Sequence, residues 1–202
     1  MNINSIIVSN LNGYILCESN FYKTIDICDC FSYRFTPGVN VLRGEIDSGN
    51  WAVSYLLSMM PYKINSFTLF ETPKILIEKN EVDINKVANY SLYLDQSYPL
   101  FSDKRTINEI VSKALKQENK SETPDDIRNL FHIDIERFNR RLGGVGNEVF
   151  KAMSAIGYCF SKEIFCFPWL SKKRFDSYHN HMEDLFSIIK SLNKIIILPL
   201  GK

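Results

Sequence analysis

The sequence has 202 residues, 45% of them hydrophobic and 23% charged, which is ordinary for a globular protein with a full core. Its 24 Lys and Arg against 23 Asp and Glu leave a net charge of +1, which argues against nucleic acid as a partner. No apolar run approaches the roughly 20 residues that span a bilayer, and the polar N-terminus lacks a signal-peptide pattern. We therefore expect no direct membrane insertion and a cytoplasmic location.

The cysteines argue against a disulfide framework, because their number is odd in a chain without a signal peptide. Cys28-Asp29-Cys30 and His179-Asn180-His181 raise the possibility of a metal site. A closed site usually has four ligands, and no further ligands follow at metal-site spacing. We expect no metal, and we expect Cys28 and Cys30 to lie buried on one face of a strand.

The N-terminal part predicts short strands. Apolar runs at residues 3–9 and 14–17 flank Asn12-Gly13, a dipeptide typical of a hairpin turn. The alternation over residues 25–35 indicates a half-buried strand. After a turn at Pro37-Gly38, residues 39–42 predict a short buried strand that leads into a glycine-containing loop.

The rest of the chain alternates between predicted helices and predicted strands. A helix is predicted from Ala52 to Met60, ended by Pro61. Residues 106–138 are helical in pattern, with a capping box from Thr106 to Glu109 and a second helix starting near Pro124. Strand and helix alternation in the last third indicates a parallel sheet. The remaining predictions are strands at 67–77 (broken at Pro73), 87–94, 164–167 and 195–198, and helices at 148–161 and 178–192.

The loop at residues 44–51 has the spacing of a phosphate loop, G-x-x-x-x-G-K-[ST], and lies between a predicted strand and a predicted helix. Asn50 stands where the lysine belongs, and Trp51 where the Ser or Thr belongs. The lysine reaches the β- and γ-phosphates and the hydroxyl binds Mg²⁺, whereas Asn has no charge and Trp offers no oxygen. The match is either chance or a phosphate loop that has lost its chemistry.

The flanking motifs decide between these readings. Taken in order, they resemble the ATP-binding cassette (ABC) ATPase domain over nearly the whole chain. Residues 25–44 are similar to the family's run into the phosphate loop, and the other matches are the Q-loop at 93–101 with Gln96, the segment after it at 106–110, the signature at 141–145 with Gly143 and Gly144, the Walker B strand at 163–167, the D-loop at 175–177 and the last strand at 195–198.

The resemblance implies an α/β fold, the P-loop NTPase fold of the ABC ATPase type. This fold has a mainly parallel sheet with helices on both faces, an antiparallel β subdomain and a helical subdomain. One nucleotide-binding domain over residues 1–202 is implied. It divides into an antiparallel part at about 1–35 and 62–80, a core at about 36–61, 86–100 and 146–202, and a helical subdomain at about 101–145.

The motifs depart from the family pattern at every catalytic position. Walker B normally ends in Asp-Glu, which hold Mg²⁺ and position water, but this chain has Pro168-Trp169. A one-residue shift gives Trp169-Leu170 and changes nothing. The signature has Arg141-Leu142 in place of Leu-Ser and Val145 in place of Gln, and Pro199–Lys202 stands where the switch histidine is expected. We therefore expect no catalytic residue and no metal ligand.

Some binding capacity is still expected from the loop and its surroundings. Backbone N–H groups of a phosphate loop and the helix behind it attract anions, so ATP with Mg²⁺ is expected to bind weakly at best, and no cofactor is assigned. Phe21 or Tyr22 is the candidate for stacking on adenine. The candidate binding residues are Gly44, Asp47, Ser48, Gly49, Asn50 and Trp51 in the loop, Gln96, and Gly143 with Gly144.

The resemblance implies a non-canonical, catalytically impaired ATP-binding subunit of an ABC transporter. Such a subunit would lie at the inner face of the membrane on transmembrane permease subunits, paired with a second nucleotide-binding subunit as a hetero- or homodimer. Three alternatives stay open: a homodimeric scaffold with two silent sites, a soluble regulatory or immunity protein without a transport role, and an active ATPase in which Lys63, Lys74 or Lys202 supplies the missing charge.

Overall fold

The structure is a computed structural model that describes residues 3–202. Its elements form a parallel sheet, an antiparallel sheet and helices around them. The strands are β1 (Ile6–Glu18), β2 (Lys23–Phe35), β3 (Gly38–Arg43), β4 (Phe67–Leu69), β5 (Lys74–Ile77), β6 (Asn80–Glu81), β7 (Ser91–Tyr93), β8 (Ile164–Cys166) and β9 (Ile195–Leu200). The α-helices are α1 (Asn50–Met59), α2 (Ile84–Val87), α3 (Ile107–Gln117), α4 (Pro124–Leu130), α5 (Ile135–Phe138), α6 (Val149–Cys159), α7 (Lys172–Ser177) and α8 (His179–Ser191).

The parallel sheet has the strand order β3-β9-β8-β7. Strands β8 and β9 are buried along their whole length, which explains their unbroken apolar sequence. Helix α8 packs on β3 and β9, while α1 packs on β7, β8 and β9. The carboxyl ends of all four strands therefore meet at one edge, which is where ligands bind in open α/β sheets.

The antiparallel sheet has the order β2-β1-β5-β6, with β4 also paired to β1. Helix α1 contacts β1 and β2 as well as the parallel sheet. Covered by both sheets, α1 buries all nine residues from Trp51 to Met59. A helix that is apolar on all sides requires such an environment.

The predicted hairpin turn at Asn12-Gly13 is wrong. Strand β1 runs through both residues, and the chain reverses after Glu18, where the Ser19 N–H donates to the Tyr22 carbonyl at 2.8 Å. Gly13 serves close packing instead, since a Cβ there would collide with the backbone of Thr68 on β4. A glycine is therefore required at position 13, but the reason is the close approach of β4 and not a turn.

Two other strand predictions need correction. Cys28 is buried but Cys30 is exposed, because one extra residue in β2 forms a bulge here and Cys30 takes φ 49°. Only Ser91–Tyr93 of the predicted 87–94 strand pairs in the sheet, and residues 84–87 are helical.

The helices and buried strands of the second half are confirmed. Thr106 caps α3 with the predicted capping box, and Thr123 caps α4 with Pro124 in its first turn. Within residues 3–202, no helix has the length and apolarity needed to cross a bilayer. That same part of the chain brings together no group of three or more His, Cys, Asp or Glu suited to a metal ion.

Candidate phosphate site

The phosphate loop occupies the place that its spacing predicts, between the end of β3 and the start of α1. Gly49 is the N-cap of α1 with φ 81°, and a Cβ at this position would lie 2.8 Å from the Ile27 carbonyl oxygen. Both the left-handed backbone and this contact require glycine. Strand β2 thus lies directly against the loop.

Two side chains fill the inside of the loop. The Ser48 hydroxyl donates to the Glu45 carbonyl at 2.6 Å, and the Asn50 amide donates to the Ser48 oxygen at 3.0 Å. Both side chains lie where a Cβ on Gly44 would be. Asn50 therefore turns back into the loop, where a lysine would extend toward a phosphate.

A buried carboxylate occupies the N-terminus of α1. Asp26, on β2 and 0% exposed, accepts hydrogen bonds from the Gly49 N–H at 2.7 Å and the Ala52 N–H at 2.8 Å. These N–H groups are among the unpaired donors that every helix start presents, and a phosphate loop offers the same kind of donor to phosphate. Here a side chain of the same chain takes them.

The environment of Asp26 sets its protonation. Burial raises the pKa of the Asp26 carboxyl from 3.8 to about 6, although the N–H groups of Gly49 and Ala52 favour the charged form. Asp47 adds a smaller upward contribution. Sequence reasoning missed Asp26, because an acid between Ile25 and Ile27 suggests the solvent side of a strand, whereas in the structure both isoleucines are more than half exposed.

Indole rings stand at two positions where the family has polar groups, the Mg²⁺-binding hydroxyl of the phosphate loop and the Walker B acid that positions water. Trp51 is completely buried, and its Nε1–H donates to the Tyr93 hydroxyl at 2.9 Å. Trp169 donates its Nε1–H to the Gly44 carbonyl at 3.1 Å. An indole N–H is a donor only, so neither ring can ligate Mg²⁺.

The tip of the β1–β2 hairpin, residues 18–22, crosses the carboxyl ends of β7 and β8. The Asn20 N–H donates to both Asp95 carboxylate oxygens, at 3.0 and 3.2 Å. The Tyr22 ring packs edge-on against Trp169 with centroids 5.2 Å apart, while Phe21 lies against the Arg174 guanidinium. Both candidate adenine-stacking residues thus already have partners within the chain.

The Q-loop and signature residues lie at the surface. Gln96 is exposed and lines a 350 Å³ cavity that also contains Phe101 and residues of the hairpin tip. Gly143 and Gly144 are exposed in a 3₁₀ turn before α6. A Cβ on Gly143 would lie 3.7 Å from the Phe101 ring, so the two segments meet there.

The lysines proposed as substitutes are partly or fully exposed, and two of them are paired with acids. Lys63 pairs with Glu18 at 3.6 Å, and Lys74 pairs with Glu81 at 3.6 Å. Lys202 is exposed just after β9. His179 is also exposed, at the start of α8 and 3.2 Å from Glu183.

Comparison with solved structures identifies the fold. No protein-family model matches the sequence, and no curated protein matches it. A Pyrococcus furiosus protein described as an ATP-binding protein of an ABC transporter aligns over 98% of this chain and 90% of its own, with a TM-score of 0.60 and 12% identity. The chain has the ATP-binding cassette fold.

Two further structures agree with this assignment. cbiO1 from Clostridium perfringens, part of the ABC transporter complex cbiONQ, has a TM-score of 0.60 at 12% identity over 100% of this chain and 80% of its own. A bacterial Atm1-family ABC exporter with ATP bound has a TM-score of 0.53 at 11% identity over 100% of this chain and 35% of the exporter. The predicted fold class is confirmed, and so is the resemblance to ABC ATP-binding proteins.

Proposed function

We propose that this protein is an ABC-type subunit with a silent phosphate loop, meaning a loop that does not bind ATP. It would act in assembly and coupling with membrane-spanning subunits, alongside a second nucleotide-binding subunit. The observation that carries the proposal is the Asp26 carboxylate on the loop N–H groups of Gly49 and Ala52. A phosphate would have to displace a buried negative charge from the donors that it needs.

The lost side chains support the same conclusion. Asn50 leaves the loop without its cation, Trp51 and Pro168 offer Mg²⁺ no ligand, and Trp169 stands where the water-positioning acid belongs. Removal of one electrostatic group of this kind typically costs about 3–4 kcal/mol of transition-state stabilisation. Several such losses together leave little basis for ATP hydrolysis.

A groove supports the part of the proposal that concerns membrane subunits. It has a volume of about 410 Å³ and lies where the Q-loop segment meets α6 and the end of α1. Tyr98, two residues after Gln96, forms one wall with Leu100, and the Tyr62 and Tyr98 hydroxyls lie 3.4 Å apart. Aromatic and apolar walls of this kind are typical of sites that receive another protein.

ATP binding tests the silent loop directly. By isothermal titration with and without Mg²⁺, the wild type should show no saturable binding below about 1 mM ATP. Asn50→Lys alone should change little, because Asp26 still holds the N–H groups and would pair with the new lysine. Asp26→Ala with Asn50→Lys should bind measurably, since it restores both the donors and the cation.

Asp29→Ala is the matched control, because Asp29 is an exposed acid on the same strand. Combined with Asn50→Lys, it makes the same change of charge as the double variant but leaves Asp26 on the N–H groups. Micromolar, Mg²⁺-dependent ATP binding by the wild type would contradict the proposal of a silent loop. Mg²⁺-dependent ATP turnover by the wild type would instead revive the active-ATPase alternative.

Photo-crosslinking tests the membrane partner. A photoreactive residue in place of Tyr62, which is exposed and lines the groove, should crosslink to an integral membrane protein in cells that express this chain natively. The same residue in place of Lys79, exposed at the far end of the antiparallel sheet, should not. Crosslinks to soluble proteins alone would favour the regulatory or immunity alternative.

A further inference from the structure

A second cavity lies beside the hairpin tip, outside the phosphate loop. It has a volume of about 300 Å³, at the lower end of the range for small-ligand pockets. Its walls come from the hairpin and from α7 with its flanking residues. The lining residues are Tyr22, Ser171, Lys173, Arg174, Ser177 and Tyr178.

The lining carries two cations and no carboxylate. Within residues 3–202, neither Lys173 nor Arg174 forms an ion pair. The nearby acid Asp176 is taken by Lys172, which lies 3.2 Å away and does not line the cavity. The positive charge in this cavity is therefore uncompensated.

Aromatic rings hold the Arg174 side chain in place. Its guanidinium stacks on the Phe21 ring and lies 5.9 Å from the centroid of the Tyr178 ring. Its Nε is buried and has no hydrogen-bond partner among the described residues. A buried donor without a partner costs free energy, so burial of this side chain is maintained by its packing on the two rings.

Hydroxyl groups complete the lining. The Ser171 oxygen accepts from the Arg174 backbone N–H at 3.3 Å, so its own hydrogen remains available for donation. Tyr22 and Tyr178 add two phenol groups and two aromatic walls. Cations, hydroxyl donors and aromatic faces together match an oxyanion carried by a small planar group.

We propose that this cavity binds a phosphate-type oxyanion, held by Arg174 and Lys173 between the hairpin tip and α7. The anion is either free phosphate or the phosphate of a small monoester whose organic part packs against Tyr22 and Tyr178. The site is independent of the phosphate loop and of the silent-loop proposal. Because its walls belong to two elements, the bound anion ties the hairpin tip to α7.

The test is a titration of the intact protein with inorganic phosphate, phenyl phosphate and benzoate at constant ionic strength. Binding is followed by two-dimensional NMR, in which the Arg174 side-chain signal reports on the cavity and the Gly49 amide on the phosphate loop. Saturable shifts at Arg174 below about 10 mM ligand are expected, with Gly49 unmoved. Phenyl phosphate binding more tightly than phosphate identifies a monoester, and equal binding identifies free phosphate.

Three variants test which side chains bind the anion. Arg174→Gln and Lys173→Gln should each weaken phosphate binding by about tenfold, as expected for loss of a charge-assisted hydrogen bond. Lys172→Gln removes the same charge one residue earlier and should weaken it less than about twofold. Lys173 is exposed, so its variant tests the site even if Arg174→Gln perturbs folding.

The proposal is overturned by any of three results. These are the absence of saturable shifts with both phosphates, equal weakening by Lys172→Gln and Lys173→Gln, and binding of benzoate as tight as that of phenyl phosphate. The last result would assign the cavity to carboxylates.

Discussion

The titration of Asp26 gives a sharp prediction about stability. Its carboxyl pKa rises from 3.8 to about 6 on folding, mainly because burial disfavours the charged form. A difference of about two pKa units, at about 1.4 kcal/mol per unit, corresponds to about 3 kcal/mol. Because Asp26 is fully buried, solvent screens this contribution little.

The sign follows from proton binding. Between pH 3.8 and about 6 the folded protein holds a proton on Asp26 that the unfolded chain has released. Stability from this group is therefore present at the acid end of that window and is lost as the pH rises through it. Asp26→Asn has no such titration.

The assay is urea unfolding of the wild type and Asp26→Asn between about pH 4 and pH 7. The free energy of unfolding of the wild type, minus that of the variant, should fall by about 2–3 kcal/mol across this range. Asp29→Asn, an exposed change on the same strand, should run parallel to the wild type. Parallel curves for Asp26→Asn would refute the reasoning and show that the N–H donors fully offset burial.

Three further substitutions test the packing around the site and the predicted caps, each by urea unfolding. Trp51→Ser, which restores the family residue, should destabilise by about 3–5 kcal/mol because it empties a buried indole site; an unchanged midpoint would contradict its burial. Lys194→Met should cost about 3–5 kcal/mol by leaving Glu163 unpaired, whereas replacing both members of this buried 2.6 Å pair with Met should cost much less; equal losses would argue against the pair. Thr106→Ala should cost about 1 kcal/mol through loss of the α3 cap, and no change would show the cap to be dispensable.

Local sequence patterns predicted much of the fold. The capping box at Thr106 and the apolar runs of β8 and β9 each depend on neighbours close in sequence, and the structure contains all of them. The resemblance of the ordered motifs to the ABC ATPase family, from the loop at Gly44 through Gln96 to the last strand, was enough to predict the fold. Asn12-Gly13 shows the limit, because a glycine needed for a turn and one needed for close strand packing give the same local signal.

The sequence by itself determined which groups the phosphate loop lacks, since Asn50 and Trp51 can be read from spacing alone. Only the tertiary structure decided what occupies the loop instead. The alternation in β2 predicts that Ile25 and Ile27 face the core and that the acid between them faces solvent, and the structure has the reverse. Asp26 is buried because Gly49 and Ala52, more than 20 residues away, offer it N–H donors that only folding brings within reach.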